Sequence, residues 1–514
     1  MLQYTCYNAR NINRAGKLFK KGKAMRNPKK DISAEKENGR FYTPDFIVDS
    51  VLDMSGYCGE TILKKHVIDN SCGDGAFLIR IAQRYYLEAK RANYSYSEIK
   101  SDLETYIHGI EIENSERVKC VNRLDDFFDK EQMTDIHWDI ICDDTLTVTR
   151  YNGKMDYVLG NPPYIRVHNL GNYFDSIKSF SFAQGGMTDM YIVFYEIGIK
   201  MLSKNGTLGY ITPSSFFNSV AGSYMRKVFV SNNYLDKICD LKHYQAFKSM
   251  TYTAITVLKN NKSDGSVKYY QFDEESKSPN YAETLTPKEF YIAGNYFFAA
   301  KEQLKLLSDV LLNSGVSDIK VKNGYATLCD NVFIRDFDFT SRFIIPVVKA
   351  SKGIVKKAFF PYTNSGELID EKEIKSDSKM YSYLKANEEK LLNRSNENSD
   401  RNHWYAYGRS QAIGDTFKDK LSVNSLIRSE DDIKFADAPA GTGVYGGLYL
   451  TSDTVPMSEI KKALKSKEFT DYVLLLGKYK SGGYYTFSSK DVKTFLDYKF
   501  AYDGGFLCVQ TNNF

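Results

Sequence analysis

The chain lacks every pairing of cysteines that would signal a metal site or a disulfide scaffold. Its eight cysteines stand singly, at Cys6, Cys58, Cys72, Cys120, Cys142, Cys239, Cys329 and Cys508, and no Cys-x-x-Cys occurs. The six histidines do not gather beside them. Isolated thiols without ligand spacing argue against structural zinc and for free cysteines in a reducing compartment, so no metal is expected. A secretory leader is missing too, and no apolar run reaches the ~18 residues that cross a bilayer, so no membrane association is expected.

Acidic residues are absent from residues 1–30, which hold nine basic ones: Arg10, Arg14, Lys17, Lys20, Lys21, Lys23, Arg26, Lys29 and Lys30. The formal charge of the whole chain is only +5, so the remainder is near neutral or slightly acidic. Such an arm either holds phosphates by releasing their counterions or is a solvated leader, and charge alone leaves both open. With 514 residues the chain is too long for one ordinary domain, and two folded units are expected.

From about Phe41 to Leu258, short β-rich apolar runs alternate with amphipathic helical spacing. Strands are predicted at His66–Asp69, Tyr106–Ile112, Trp138–Ile141, Tyr157–Gly160, Thr207–Thr212 and Thr253–Leu258. Helices are predicted at Phe46–Met54, Ala76–Lys90, Asp189–Leu202 and Tyr224–Asn232. Strands separated by helices imply an α/β, doubly wound, mainly parallel sheet. A further strand at Val267–Phe272 precedes a stretch, Asp273–Pro287, that reads as loop. The expected division is a basic arm over 1–38, a catalytic domain over 39–290, and a second, mixed domain over 291–514.

Three motifs carry chemistry. In Val67-Ile-Asp-Asn-Ser-Cys-Gly-Asp-Gly-Ala-Phe-Leu78, a strand enters a Gly73-x-Gly75 turn and a helix follows directly. Glycines there let a ligand approach backbone closely, and the helix start offers free N–H donors. Next, His108-Gly-Ile-Glu-Ile-Glu113 ends a second strand in an acid suited to ribose hydroxyls. The third is the most specific: Asp156-Tyr-Val-Leu-Gly-Asn-Pro-Pro-Tyr164. The amino group of a nucleobase is a poor nucleophile because its lone pair is delocalised into the ring. An Asn side-chain oxygen and a prolyl carbonyl can accept its two N–H bonds and aim that lone pair at a methyl donor. Proline fixes φ near −65°, so the acceptors are pre-placed, and Tyr164 offers a flat face for an extruded base.

Asn161-Pro-Pro-Tyr164 resembles the catalytic motif of amino-group methyltransferases that use S-adenosylmethionine. The order of Gly39-Arg-Phe-Tyr-Thr-Pro44, the glycine loop, the tetrapeptide and a long C-terminal region resembles the gamma class of adenine-N6 DNA methyltransferases of bacterial restriction–modification systems. That resemblance, strongest over about 39–260, implies a class I (Rossmann-like) methyltransferase fold with a C-terminal target-recognition domain. It assigns Thr43 to the cofactor's methionine end, Asp69, Cys72, Gly73 and Gly75 to the cofactor loop, and Glu111 to the ribose. Asp144 receives the cofactor adenine, with Asp143 the alternative. Asn161, Pro162 and Tyr164 are catalytic, and Asn161 and Pro163 also shape the cofactor pocket. Thr188-Asp-Met-Tyr191 resembles a helix entry that closes the site, and Thr207–Ser214 a core strand and its loop. Phe247 corresponds to an aromatic that packs on the target adenine, or is a core Phe. At Asn70 the family usually has proline.

The stretches His403–Gln411 and Ser481–Ser488 resemble target-recognition segments. Arg409 could pair with guanine and Gln411 with adenine, while phosphate contacts or structural hydrogen bonds are equally open for both. The resemblance further implies duplex DNA as substrate, a separately encoded restriction endonuclease as possible partner, and a bacterial cytoplasmic, nucleoid-associated setting. Asn rather than Ser at 161 favours adenine over cytosine N4, and the absence of any Pro-Cys pair removes cytosine C5 chemistry. Enzymes that methylate glutamine side chains or RNA with the same tetrapeptide resemble shorter chains. About 40 residues ahead of the core are too few for a fused nuclease, and a non-catalytic regulator would not need the intact motifs.

Overall fold

The computed structural model describes residues 43–165, 174–185, 188–247, 251–352, 354–394, 403–409, 411–503 and 506–507. The basic stretch over 1–30 lies outside them. Two compact units divide the chain between Lys301 and Glu302.

The first unit is built on nine strands: β1 (Val67–Asp69), β2 (Ile107–Glu111), β3 (Asp139–Cys142), β4 (Met155–Gly160), β5 (Leu202–Pro213), β6 (Leu235–Asp240), β7 (Thr253–Lys259), β8 (Val267–Asp273) and β9 (Ser278–Leu285). They lie in the order β3-β2-β1-β4-β5-β7-β6-β8-β9. The first five are mutually parallel, and β7 runs against both β5 and β6. Strand order reverses beside β1, where β2 lies on one side and β4 on the other. In a doubly wound sheet the crevice beyond the carboxyl ends of such strands is where ligands bind.

Helices cover both faces. Gly198, in the helix Met190–Met201, lies against Leu208 and Tyr210, whereas Ser55, ending the helix α1 (Asp45–Ser55), lies against Gly209. Neighbouring residues of a strand point to opposite faces, so the two helices lie on opposite sides of β5. On its own side α1 also locks to α2 (Ala76–Arg91). Asp49 and Asp53 are one turn apart on α1, Arg80 and Arg84 one turn apart on α2. Arg84 pairs with Asp49 at 2.9 Å and Asp53 at 2.6 Å, and Arg80 pairs with Asp49. Two i,i+4 pairs thereby interlock across the contact.

The six strands predicted up to Leu258 and the four predicted helices are present within a few residues of their expected ends. The structure adds the helices Tyr96–Tyr106 and Asn114–Lys130, together with β6 and β9. The stretch expected as loop, Asp273–Pro287, contains β9, which pairs antiparallel with β8 at the sheet edge. Its middle residues are solvent-exposed, so no apolar alternation marked it. Pro279, which lacks an N–H for a ladder, is tolerated at an edge. Beyond 290, the hairpin of Tyr291–Ile292 and Asn295–Tyr296 stays with the first unit through the buried Arg226. That guanidinium donates to Gly294 O at 2.8 Å and Asn295 Oδ1 at 3.1 Å.

The second unit carries a four-stranded antiparallel sheet and smaller sheets around its own aromatic core, including Tyr325, Phe333, Phe359, Phe360 and Tyr407. Arg394 gathers its loops by donating to Leu391 O, Thr327 O, Ala406 O and Trp404 O at 2.7–2.9 Å. The architecture is α/β, a doubly wound and mainly parallel sheet followed by a separate mixed unit.

Candidate active site

The glycine loop leaves β1 and is shaped by two left-handed residues, Gly73 at φ 53° and Gly75 at φ 89°. Space is open at Gly73, but a Cβ on Gly75 would stand 2.7 Å from Cys120 Sγ and 3.3 Å from its Cα. The loop is fastened from below: Cys72 N–H donates to Ile110 O at 3.0 Å and Gly75 N–H to Cys72 O at 2.8 Å. Asn70 supplies part of this fastening. Its Oδ1 accepts from Tyr210 Oη at 2.9 Å, and its carbonyl accepts from Thr145 Oγ1 at 2.6 Å.

The acids of the loop have distinct environments. Glu111 closes β2 and accepts from Gly73 N–H and Glu113 N–H, both at 2.9 Å, so it holds the glycine turn against the next strand. Asp69 is buried and accepts from Ser71 N–H at 3.0 Å. Burial raises its pKa to about 7, with Glu111 adding in the same direction and the Ser71 N–H opposing. Its Oδ1 lies so close to Gly160 that a Cβ there would sit 2.6 Å away, which explains a glycine just before the tetrapeptide. Cys72 directs its thiol inward, toward Gly109 and Cys120. The hydrogen bond with Cys120 and burial push that thiol well above its ordinary pKa.

Past β3 the two candidate aspartates divide the local work. Asp143 is exposed and its Oδ1 accepts from Asp144 N–H at 2.8 Å. Asp144 is half-buried, with Oδ1 accepting from Leu146 N–H at 3.0 Å.

The strand β4 delivers Asn161, Pro162, Pro163 and Tyr164 to the same sheet edge as the glycine loop. Asn161 donates Nδ2–H to Thr43 Oγ1 at 3.0 Å, while its Oδ1 is buried and has no hydrogen-bond partner among the described residues. A buried acceptor left unpaired carries a desolvation penalty of ~1–3 kcal/mol, and a ligand donor there would relieve it. Ser71 Oγ, in the glycine loop, is a second buried polar atom without a partner.

Tyr164 is held by its hydroxyl and by its ring. Its hydroxyl donates to Ile211 O at 3.1 Å, and its ring meets Tyr191 and Phe247 edge-on, at centroid distances of 6.4 and 6.0 Å. Burial lifts its phenol well above the ordinary value, so it stays protonated. Tyr191 in turn shares a hydrogen bond with Ser215 Oγ at 3.0 Å. Phe247 is buried, and it joins the core and the Tyr164 box together.

The structure thus brings Thr43, Asp69, Cys72, Gly73, Gly75, Glu111, Asp144, Asn161, Pro162, Pro163, Tyr164 and Phe247 into one unit. Arg409 and Gln411 belong to the other. There, Arg409 is exposed and bridges its backbone to Ala326, and Gln411 donates Nε2–H to Gly324 O at 2.7 Å. Half of the Gln411 amide is therefore engaged within the protein. Sequence reading missed Ser71 and the Thr43–Asn161 pair. A polar residue inside the glycine loop was a signal for the first, and nothing local signals the second. Among the described residues no three His, Cys, Asp or Glu side chains could hold a metal, and no helix is long and apolar enough to cross a membrane.

Residues 75–247 match the family model described as Eco57I restriction-modification methylase. The chain is 26% identical over 418 residues to the Type II methyltransferase M.BstVI of Geobacillus stearothermophilus, covering 72% of this chain and 74% of that protein. It is 22% identical over 496 residues to the Type II restriction enzyme and methyltransferase RM.Eco57I of Escherichia coli, covering 75% of this chain but 49% of that one. A match to the Type II methyltransferase M.PaeR7I of Pseudomonas aeruginosa, at 26% identity, covers 43% of this chain and 40% of that protein. Among solved structures, the Type IIL restriction-modification enzyme MmeI in complex with DNA aligns with a TM-score of 0.58 at 12% identity, over 89% of this chain and 64% of that one. At that identity the likeness concerns the fold.

Proposed function

We propose that this chain, an Eco57I-type restriction-modification methylase over residues 75–247, transfers the methyl of S-adenosylmethionine to the exocyclic N6 of adenine in duplex DNA. One observation carries the reading: Asn161 is fixed through its Nδ2, and its Oδ1 is left buried and unpaired at the end of β4. An exocyclic amine is the kind of donor that atom lacks. Asn161 Oδ1 and the Pro162 carbonyl accept the two N6 hydrogens, drawing the lone pair out of the ring. Tyr164, protonated and braced by Tyr191 and Phe247, provides the face against which an extruded adenine rests.

The residues present fit the cofactor. Gly73 and Gly75 form a left-handed turn with open space at Gly73, Gly160 leaves room only for Asp69, and Ser71 Oγ is buried without a partner among the described residues. In this assignment Thr43, Asp69, Gly73, Gly75, Glu111, Asp144, Asn161 and Pro163 surround S-adenosylmethionine, with Cys72 contributing backbone. When bound, the cofactor supplies an electrophilic methyl on a sulfonium. The protein's part is positional: it holds the amine and stacks the base, with no covalent link to DNA. The unit beyond Lys301 serves target recognition, with Arg409 toward DNA. The arm over 1–38 is assigned to phosphates, and residues 39–301 to catalysis.

The test is incubation of unmethylated genomic DNA with protein and S-adenosylmethionine, followed by nucleoside mass spectrometry with Asn161→Ala as control. N6-methyladenine that depends on Asn161 supports the reading. Methylation of cytosine N4 corrects the base, and the absence of any methylated base contradicts it.

A further inference from the structure

We propose that Thr43 is a positioning residue for Asn161, and that its hydroxyl anchors the nitrogen end of the Asn161 amide so that the oxygen end faces the target amine. The inference rests on the methyltransferase reading above and deepens it. A primary amide is almost symmetric in shape but not in chemistry, since one end accepts and the other donates. Facing an exocyclic amine, itself a donor, only the oxygen end is productive. The tetrapeptide alone does not choose between the two ends.

Thr43 holds the nitrogen end. It is 118 residues away in the chain, 3% exposed, and its Oγ1 accepts from Asn161 Nδ2 at 3.0 Å. With the nitrogen so engaged, Oδ1 is turned into buried space without a partner among the described residues. The reverse pairing, with the hydroxyl donating to Oδ1, would leave a buried NH2 facing another donor.

The hydroxyl is itself well placed for this duty. Thr43 directly precedes Pro44, whose φ of −62° begins α1 and whose carbonyl accepts from Ile47 N–H at 2.9 Å and Val48 N–H at 3.1 Å. The helix start fixes the backbone, and a β-branched side chain has few χ1 choices. Accepting from Asn161 also leaves Thr43 its own proton for an acceptor elsewhere, so a contact with the methionine end of the cofactor is compatible.

The variants Thr43→Val, isosteric without the hydroxyl, and Thr43→Ser, which keeps it, are compared in the full-length chain. Methyl transfer to unmethylated genomic DNA is followed in single turnovers at saturating cofactor, cofactor Kd by calorimetry, and folding by thermal melting. The expected result is a T43V rate at saturating cofactor about 10- to 100-fold below the parent, beyond any change in cofactor Kd, and recovery to within about threefold in T43S. A T43V protein with weakened cofactor binding but an unchanged saturated rate would overturn the proposal in favour of a cofactor contact only. T43S as slow as T43V would overturn it in favour of methyl packing. Should T43V melt early, Thr43→Ala against Thr43→Ser gives the same comparison. A parent chain that methylates no DNA removes the underlying reading, whereas an active parent matched by an equally active T43V removes this inference alone.

Discussion

At the scale of single residues, polar atoms whose partners are missing say most. Asn161 Oδ1 is aimed by Thr43 and unpaired, and its loss should be felt in the chemical step. Asn161→Ala is expected to lower the rate of methyl transfer by at least ~100-fold with the melting temperature little changed, checked by single-turnover kinetics beside calorimetry. Asp69 gives a second handle. Its folded carboxyl keeps its proton up to about pH 7, whereas an ordinary carboxyl releases it near 3.8. Between those values the folded chain binds more protons than the unfolded chain, so this group's contribution is full at low pH and declines as pH rises to about 7. Asp69→Asn should flatten that decline. Denaturant titrations of parent and variant across this window check it, and parallel curves would contradict the burial of Asp69.

At the scale of elements, the two glycines of the cofactor turn make different demands. Both need a left-handed backbone, which costs an L-residue ~1–2 kcal/mol, but only Gly75 abuts Cys120. Gly75→Ala therefore adds an overpacking cost of ~1–3 kcal/mol and should melt several degrees below Gly73→Ala. Equal melting temperatures would mean that the helix Asn114–Lys130 yields. This turn was legible in the sequence because a strand, two glycines and a helix follow one another within a dozen residues. Likewise Asn161 to Tyr164 were legible, since prolines punctuate the chain wherever it is read. The strand β6 was not: Asp236 and Lys237 interrupt its apolar run, and only the fold shows Lys237 reaching Met54 O at 2.6 Å. Nor was β9, an exposed edge strand held by its ladder to β8. The link from Thr43 to Asn161 escaped for a different reason, because spacing carries no information across 118 residues.

At the scale of the whole molecule, the chain joins a doubly wound unit that holds the candidate chemistry to a second unit with its own core. Residues that looked alike in sequence separate there. Gln411 fastens Gly324, so Gln411→Ala should lower the melting temperature, whereas exposed Arg409 can be lost without that cost. Arg409→Ala is expected to leave melting unchanged and weaken DNA binding about tenfold at physiological salt, measured by fluorescence anisotropy. Unchanged affinity would assign recognition to other residues of the unit.

The most direct test of the central claim is the identity of the modified nucleoside. Unmethylated genomic DNA treated with the full chain and S-adenosylmethionine, then digested and analysed by mass spectrometry, should yield N6-methyladenine at a recurring sequence, and none with Asn161→Ala. Methyl groups found on cytosine would overturn the adenine assignment, and methyl groups on no base at all would contradict the account as a whole.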